Sequence, residues 1–145
     1  MVPQRLSLVT IGSWNVAELR KFYKRLGWSE TEWSSDEYAV FQTAGCMFSI
    51  WGISELAEDA SLPKPESKHY LRGITLSINV DSPEEVDTVA IAVEKAGGKI
   101  VKNPENAFWG GRTFVFLDPE NNAWEVAFNP KSIFDERGAM IGMNG

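Results

Sequence analysis

The stretch Gly73-Ile-Thr-Leu-Ser-Ile-Asn-Val-Asp81 is typical of a β-strand, because apolar residues, mostly β-branched, alternate with polar ones. A helix is predicted immediately after it. Ser82 is a candidate N-cap, and Glu85 is placed to complete a capping box with it. Apolar residues then recur at helical spacing as far as Gly97, where a glycine pair ends the helix. The chain opens with a second copy of this strand–helix unit, which predicts one fold built twice.

The first copy begins with a β-rich run at residues 6–12 and continues as an amphipathic helix from Val16 to Leu26. Either Ser13 or Asn15 can cap this helix, and Gly27 ends it. The two first strands superpose at a constant shift in number, which aligns Leu8 with Thr75, Thr10 with Ser77, and Gly12 with Asn79.

Hairpin strands are predicted after each helix, so each half has the order β-α-β-β-β. In the first half they cover 28–33, 38–41 and 46–51; in the second they cover 99–102, 113–117 and 123–128, with a loop at 103–112. A short helix is expected near 53–60. We expect one domain over residues 1–145: module one at about 5–52, a connection at about 53–72, module two at about 73–130, and a tail at 131–145.

The composition restricts the partners. The net charge of −6 over 145 residues leaves no basic stripe for nucleic acid; it mildly favours cationic ligands, although solubility alone explains it better. No apolar run is long enough to predict a membrane span. The single cysteine, Cys46, excludes an internal disulfide, which fits a protein of the reducing cytoplasm. We expect the Cys46 side chain to pack as a small buried apolar group.

Several short motifs occur in one order along this repeat. They are Phe22-Tyr23 with Leu26-Gly27, Trp109-Gly110-Gly111, Asp118-Pro119 with Asn122, and Trp124-Glu125-Val126 with Asn129-Pro130. In this the chain resembles the vicinal oxygen chelate superfamily, which comprises glyoxalases, bleomycin-resistance proteins and ring-cleaving dioxygenases, over roughly residues 6–130. The resemblance implies an α+β fold. Two tandem βαβββ modules would form a curled mixed sheet around a concave cavity, with the helices on the outer face.

In the metalloenzymes of that family, His, Glu or Gln on the first and last strands of each module hold a divalent metal. Strand alternation points Thr75, Ser77 and Asn79 into the cavity, and the repeat adds Leu8 and Thr10. The four ligand positions then fall on Leu8, Phe48 or Ser49, Thr75, and Glu125.

Only Glu125 is a good ligand type, and one carboxylate among neutral groups does not hold a divalent ion tightly. We therefore expect no cofactor, although a divalent metal remains an open alternative. The one histidine, His69, is expected to be a loop residue in the connection; it would have to fold into the cavity to ligate.

Two residues stand out without a metal. Glu125 is a candidate catalytic acid or base, or a ligand anchor; equally, it could be an inert carboxylate hydrogen-bonded to Thr75, Ser77 or Asn79. Trp109, in a glycine-containing loop, could stack on a ligand or fill its own pocket.

Three functions stay open at this point. The first is metal-independent binding of a small apolar or aromatic molecule, which could be cationic, in the central cavity. The second is an enzyme (a lyase, isomerase or dioxygenase) that uses a divalent metal or Glu125 as a base. The third is a protein-association module with a vestigial cavity, which would use open sheet edges and the tail. The resemblance also implies a homodimer.

Overall fold

The computed structural model describes residues 1–68 and 71–144. The chain divides into two compact units, Met1–Glu66 and Ser67–Gly145, and each is described by itself. Both units combine helices with a mixed sheet, and both start with a strand, a helix and hairpin strands. The predicted α+β class with βαβββ-type modules is therefore confirmed. A concave cavity shared by the two halves stays a prediction.

Unit 1 has a three-stranded sheet in the order β1-β3-β2. The first strand pairs in parallel with the third, and the second pairs antiparallel with the third. Its elements are β1 (Leu8–Ser13), α1 (Val16–Arg25), β2 (Tyr38–Phe41), β3 (Met47–Gly52) and α2 (Ile53–Asp59). The short helix expected near 53–60 is present as α2.

Helix α1 covers one face of this sheet. Its cap is Asn15, whose side-chain oxygen accepts a hydrogen bond from the Glu18 backbone N–H at 3.2 Å. Just beyond its end, Gly27 takes a φ of +96°, which an L-residue with a side chain seldom adopts. The helix contributes an apolar stripe to the core of the unit, made of Val16, Leu19, Phe22 and Tyr23.

Residues 28–33 do not form the predicted strand. This segment makes a single bridge between Glu30 and Phe41. Instead of a ladder, ion pairs attach it to α1: Glu30 lies 2.5 Å from Arg20 and 3.2 Å from Lys24. Arg20 also bonds Asp36 at 2.7 Å. The tryptophans at both ends suggested a strand, but Glu30 between them is held by two basic residues of the helix.

Unit 2 has a four-stranded sheet in the order β4-β7-β6-β5 and a separate two-stranded hairpin. The outer pair β4–β7 is parallel, whereas β7–β6 and β6–β5 are antiparallel. Its elements are β4 (Thr75–Val80), α3 (Pro83–Ala96), β5 (Lys99–Asn106), β6 (Arg112–Leu117), β7 (Ala123–Phe128), β8 (Ser132–Phe134) and β9 (Met140–Met143).

Helix α3 begins and ends as the sequence predicted. The Ser82 hydroxyl accepts from the Glu85 N–H at 3.2 Å, and the Glu85 carboxylate accepts from the Asp81 N–H at 2.8 Å. The reciprocal bond therefore reaches one residue before the cap itself. Gly97 ends the helix with a φ of +104°. Its buried residues are Val86, Val93 and Ala96.

One expectation for unit 2 was wrong in detail. Residues 103–106, predicted as loop, continue β5, because two shifts of register let the strand bend and stay paired with β6. The tail at 131–145 contains the hairpin β8–β9. Ile74, which precedes β4, is 67% exposed. None of the helices in the described residues has the length and apolarity that a bilayer span requires.

Candidate functional site

The sheet of unit 2 has one face covered by α3 and one face without a helix. The salt bridge between Arg112 of β6 and Asp87 of α3, at 2.8 Å, marks the covered face. Burial agrees, because Phe114, Phe116 and Val126 alternate onto this face and are fully buried. The opposite face is called the open face here. From the ladder registers it carries Thr75, Ser77, Asn79, Thr113, Val115, Leu117, Ala123, Glu125 and Ala127, of which Thr113, Leu117 and Ala127 are buried.

Glu125 lies near the middle of the open face. Its cross-strand neighbours are Ser77 on β4 and Val115 on β6, and its neighbours along β7 on the same face are Ala123 and Ala127. Ala123 is partly exposed and Ala127 is buried, and Glu125 between them is partly exposed. Within residues 1–68 and 71–144, this carboxylate forms no hydrogen bond or ion pair.

The three polar residues of β4 line one side of this carboxylate. Thr75 and Ser77 are exposed, and Asn79 is half-buried. In the described part of the chain none of the three bonds Glu125, so the arrangement differs from the inert hydrogen-bonded carboxylate that was one alternative. Successive residues on one strand face are about 7 Å apart, so the three groups present donors and acceptors along roughly 14 Å.

Trp109 packs on its own loop and stays partly open to solvent. A Cβ added to Gly111 would lie 1.9 Å from Trp109 Cζ3 and 2.3 Å from the Phe128 carbonyl oxygen, so the indole occupies the space that a side chain at 111 would need. Gly111 precedes Thr113 by two residues, which puts the indole at the end of the open face. The indole is 41% exposed, so it fills part of its surroundings and also presents a free aromatic surface.

Unit 1 carries an equivalent pair of positions. Thr10 and Ser49 are register partners, and their hydroxyl oxygens are 2.6 Å apart in a hydrogen bond. They correspond to the partners Ser77 and Glu125 of unit 2. Ser49 is fully buried.

The register that the sequence left open between Phe48 and Ser49 follows from this pairing. Phe48 points to the opposite face, where its ring lies 5.1 Å from Tyr23 of α1 and 6.1 Å from Trp28. Phe48 is therefore part of the aromatic core and does not share a surface with Thr10. Leu8, at the start of β1, is exposed and shares a face with Thr10.

The donor set at the family's ligand positions does not fit a divalent metal. Leu8 offers a hydrocarbon, Ser49 a hydroxyl already bonded to Thr10, and Thr75 a neutral hydroxyl. Glu125 is the one charged oxygen donor among them, and divalent ions need several such donors or imidazoles. No cluster of three or more His, Cys, Asp or Glu side chains placed to hold a metal occurs within the described residues. His69 lies outside the described residues.

Sequence reasoning missed a groove of about 370 Å³ in unit 1. It lies where β1 leads into α1 and β3 leads into α2, and we call it the junction groove. Its aromatic and charged lining residues are Trp14, Trp51, Asp36, Glu37, Glu55 and Lys64. The signal in the sequence was present: a tryptophan stands beside a small residue where each of two strands leads into a helix.

These observations define the class of protein. A module of strand, helix and hairpin, made twice, with the first strand of each parallel to its last, is a glyoxalase-type architecture. The family model of the Glyoxalase/Bleomycin resistance protein/Dioxygenase superfamily matches residues 5–126. The chain belongs to that superfamily.

Solved structures agree on the fold. A glyoxalase-related enzyme from Fulvimarina pelagi superposes with a TM-score of 0.88 at 23% identity, covering 98% of this chain and 100% of that one. A superfamily enzyme from Burkholderia phytofirmans PsJN superposes with a TM-score of 0.76 at 24% identity, covering 86% of this chain and 98% of that one. Lactoylglutathione lyase from Agrobacterium tumefaciens superposes with a TM-score of 0.67 at 18% identity, covering 88% of this chain and 96% of that one. At these identities the likeness establishes the fold alone. No curated protein matches the chain.

Proposed function

We propose that this protein binds a small apolar or aromatic molecule without a metal, on the open face of unit 2, with Glu125 as the polar anchor. The observation that carries the proposal is the setting of Glu125. A carboxylate projects from a sheet face between two alanines and beside Val115, with a row of neutral polar side chains on the adjacent strand.

The chemistry of this face suits a ligand with one donor and an apolar body. A carboxylate that accepts a hydrogen bond from an N–H, O–H or ammonium group forms a charge-assisted bond, which is about twice as strong as a neutral one. Ala123 and Val115, which are both partly exposed, offer apolar contact for the remainder of the molecule. Thr75 and Asn79 add neutral hydrogen-bonding groups that can fix its orientation.

A catalytic role for Glu125 is the second candidate. The superfamily name covers dioxygenases as well as resistance proteins, and one structural neighbour is described as a lactoylglutathione lyase. Glu125 is partly exposed on a face without a helix, so a substrate can reach it. In that role the carboxylate would accept a proton from the bound molecule, and the neutral groups of β4 would hold the molecule in place.

Thermal unfolding tests the binding proposal. A panel of amines, phenols and anilines with compact apolar bodies is added to the protein as purified. A ligand at about 100 times its Kd stabilises the folded state by about 2.7 kcal/mol. For a chain of this length that raises the Tm by about 8 °C. The Glu125→Gln variant is expected to lose at least half of that rise.

Glu105→Gln is the matched control in the same unit, because Glu105 pairs with Lys102 on the exposed strand β5 and should leave the shift unchanged. If no compound of the panel raises the Tm, or if Glu125→Gln responds as the wild type does, the binding proposal fails.

Elemental analysis and turnover separate the two candidates. Protein purified without chelator is expected to contain less than a stoichiometric amount of Ni, Zn, Fe or Mn. A stoichiometric ion would show that the ligand positions assigned to Leu8 and Thr75 are wrong. Turnover of any panel compound that disappears in Glu125→Gln would establish the base role, whereas turnover that persists would remove it.

We also propose that the protein forms a symmetric dimer, as the resemblance implies. Sedimentation velocity at micromolar concentration is expected to give a species of twice the chain mass. A single species at the chain mass across a hundredfold range of concentration would contradict the dimer.

A further inference from the structure

The junction groove lies at the carboxyl ends of two parallel, hydrogen-bonded strands. β1 and β3 pair in parallel from Leu8–Met47 to Ser13–Gly52, and each leads directly into a helix. The carboxyl edge of parallel strands is where loops diverge and where pockets most often form in sheets of this kind. A volume of about 370 Å³ is within the range of small-molecule pockets.

The aromatic part of the groove consists of two tryptophans that reach it from neighbouring junctions. Trp14 precedes the cap of α1, and Trp51 is the penultimate residue of β3. The Trp51 ring is oriented by an edge contact with Tyr38 on β2, with the ring centres 6.1 Å apart and the planes at 77°. Both tryptophans are partly exposed, so part of their surface faces the groove.

The charged part of the groove is acidic. Asp36, Glu37 and Glu55 line it against one cation, Lys64. The structure holds two of these carboxylates in place. Arg20 bonds Asp36 at 2.7 Å, and the Glu55 carboxylate lies against the backbone of Gly52, where an added Cβ would be 2.0 Å from Glu55 Oε2.

Two helices begin at the groove. The start of α2 has no side-chain cap, and Glu55 lies in its first turn. The start of α1 has internal partners, because Asn15 caps the Glu18 N–H and the Ser13 hydroxyl accepts from the Asn15 N–H at 3.0 Å. Asp36 is paired with Arg20, so Glu37 and Glu55, opposed by Lys64, supply the remaining negative charge of the groove. Tryptophan faces attract cations through the ring quadrupole, and carboxylates add attraction of the same sign. Aromatic and acidic groups together are the chemistry that recognises ammonium compounds.

We propose that the junction groove is a binding site for a compact organic cation of the quaternary ammonium class. The site belongs entirely to unit 1 and involves none of the open-face residues of unit 2. It therefore stands or fails independently of the proposed role of Glu125.

Choline and its neutral isostere 3,3-dimethylbutan-1-ol are the probes, because they have the same shape and differ in charge. Isothermal titration of the full chain is expected to give saturable choline binding in the high-micromolar to millimolar range, and binding of the alcohol at least tenfold weaker. Trp51→Leu and Glu37→Gln are expected to weaken choline binding about tenfold and about threefold. Lys64→Met, which removes a competing cation, is expected to tighten it about threefold.

Trp33→Leu is the control, because Trp33 is exposed in the same unit and does not line the groove. Its choline affinity should equal that of the wild type. If circular dichroism shows that Trp51→Leu does not fold, the choline affinities of the surface variants Glu37→Gln and Lys64→Met test the proposal instead. The proposal is overturned by an absence of saturable binding, by equal affinity for the alcohol, or by weaker binding in Lys64→Met.

Discussion

Glu30 offers the clearest test of how the irregular segment after α1 is held. Burial would raise the pKa of the Glu30 carboxyl, but hydrogen bonds from Arg20 and Lys24, together with their charges, outweigh it and lower that pKa below its ordinary value. Arg20 donates from Nε at 2.9 Å and from Nη2 at 2.5 Å to the same oxygen. Glu30→Gln keeps the shape of the side chain and removes its charge.

The magnitude follows from burial. The side chains of Arg20 and Glu30 are 17% and 8% exposed, so the pair is mostly removed from water. Exposed ion pairs contribute about 0.2–1 kcal/mol, and breaking a fully buried pair costs about 3–5 kcal/mol. We expect Glu30→Gln to lower the free energy of unfolding at pH 7 by about 2 kcal/mol, which corresponds to a fall of about 6 °C in Tm.

Lowering the pH should reduce this effect. The pKa of Glu30 is lower in the folded protein than in the unfolded chain, so its ionised carboxylate stabilises the fold at pH values above the unfolded pKa. That stabilisation is lost as the pH falls through the folded-state pKa. The measurement is urea unfolding of wild type and variant at pH 7 and pH 3, and the difference in free energy of unfolding should be smaller at pH 3.

Glu18→Gln serves as the matched control. Glu18 pairs with Lys21 at 3.3 Å, but both side chains are mostly exposed, so its loss should cost under about 0.5 kcal/mol. Equal effects of the two variants at pH 7, or an undiminished effect of Glu30→Gln at pH 3, would refute the reasoning.

Three further substitutions test other parts of the structure. Gly111→Ala places a methyl group where the Trp109 ring and a backbone oxygen already lie, so urea unfolding should show a loss of about 1–3 kcal/mol and the loop tryptophan should change its fluorescence. Ser82→Ala removes the cap of α3 and should cost about 1 kcal/mol in the same assay, with a small loss of helical circular dichroism. Ser49→Ala leaves the Thr10 hydroxyl without its 2.6 Å partner and should cost about 1–2 kcal/mol; an unchanged midpoint would mean that water replaces the bond.

Local chemistry explains why the strand–helix units could be predicted. The cap and glycine signals of α3 each act within a few residues, so they are readable from sequence: Ser82 and Gly97 occupy the roles their residue types predict. The alternation on β4 and β7 likewise put Glu125 and Ser77 on one face, and the ladder register makes them direct partners.

What could not be predicted depends on contacts between distant residues. Whether 28–33 is a strand was decided by Arg20, ten residues before Glu30, and not by the strand propensity of the segment. The choice between Phe48 and Ser49 needed the parallel pairing with β1, in which Thr10 meets Ser49. The junction groove needed the same pairing, because only the sheet brings two junctions far apart in sequence next to each other.

The equivalence of Thr10–Ser49 and Ser77–Glu125 has an evolutionary and engineering consequence. After a duplication, one half can preserve the fold while the other gains new functional groups. Ser49 is a neutral hydroxyl that bonds Thr10 within its own unit, whereas the equivalent position in unit 2 carries the ionisable Glu125. A protein of this kind can therefore exchange one specificity for another by changing a few side chains in a single repeat.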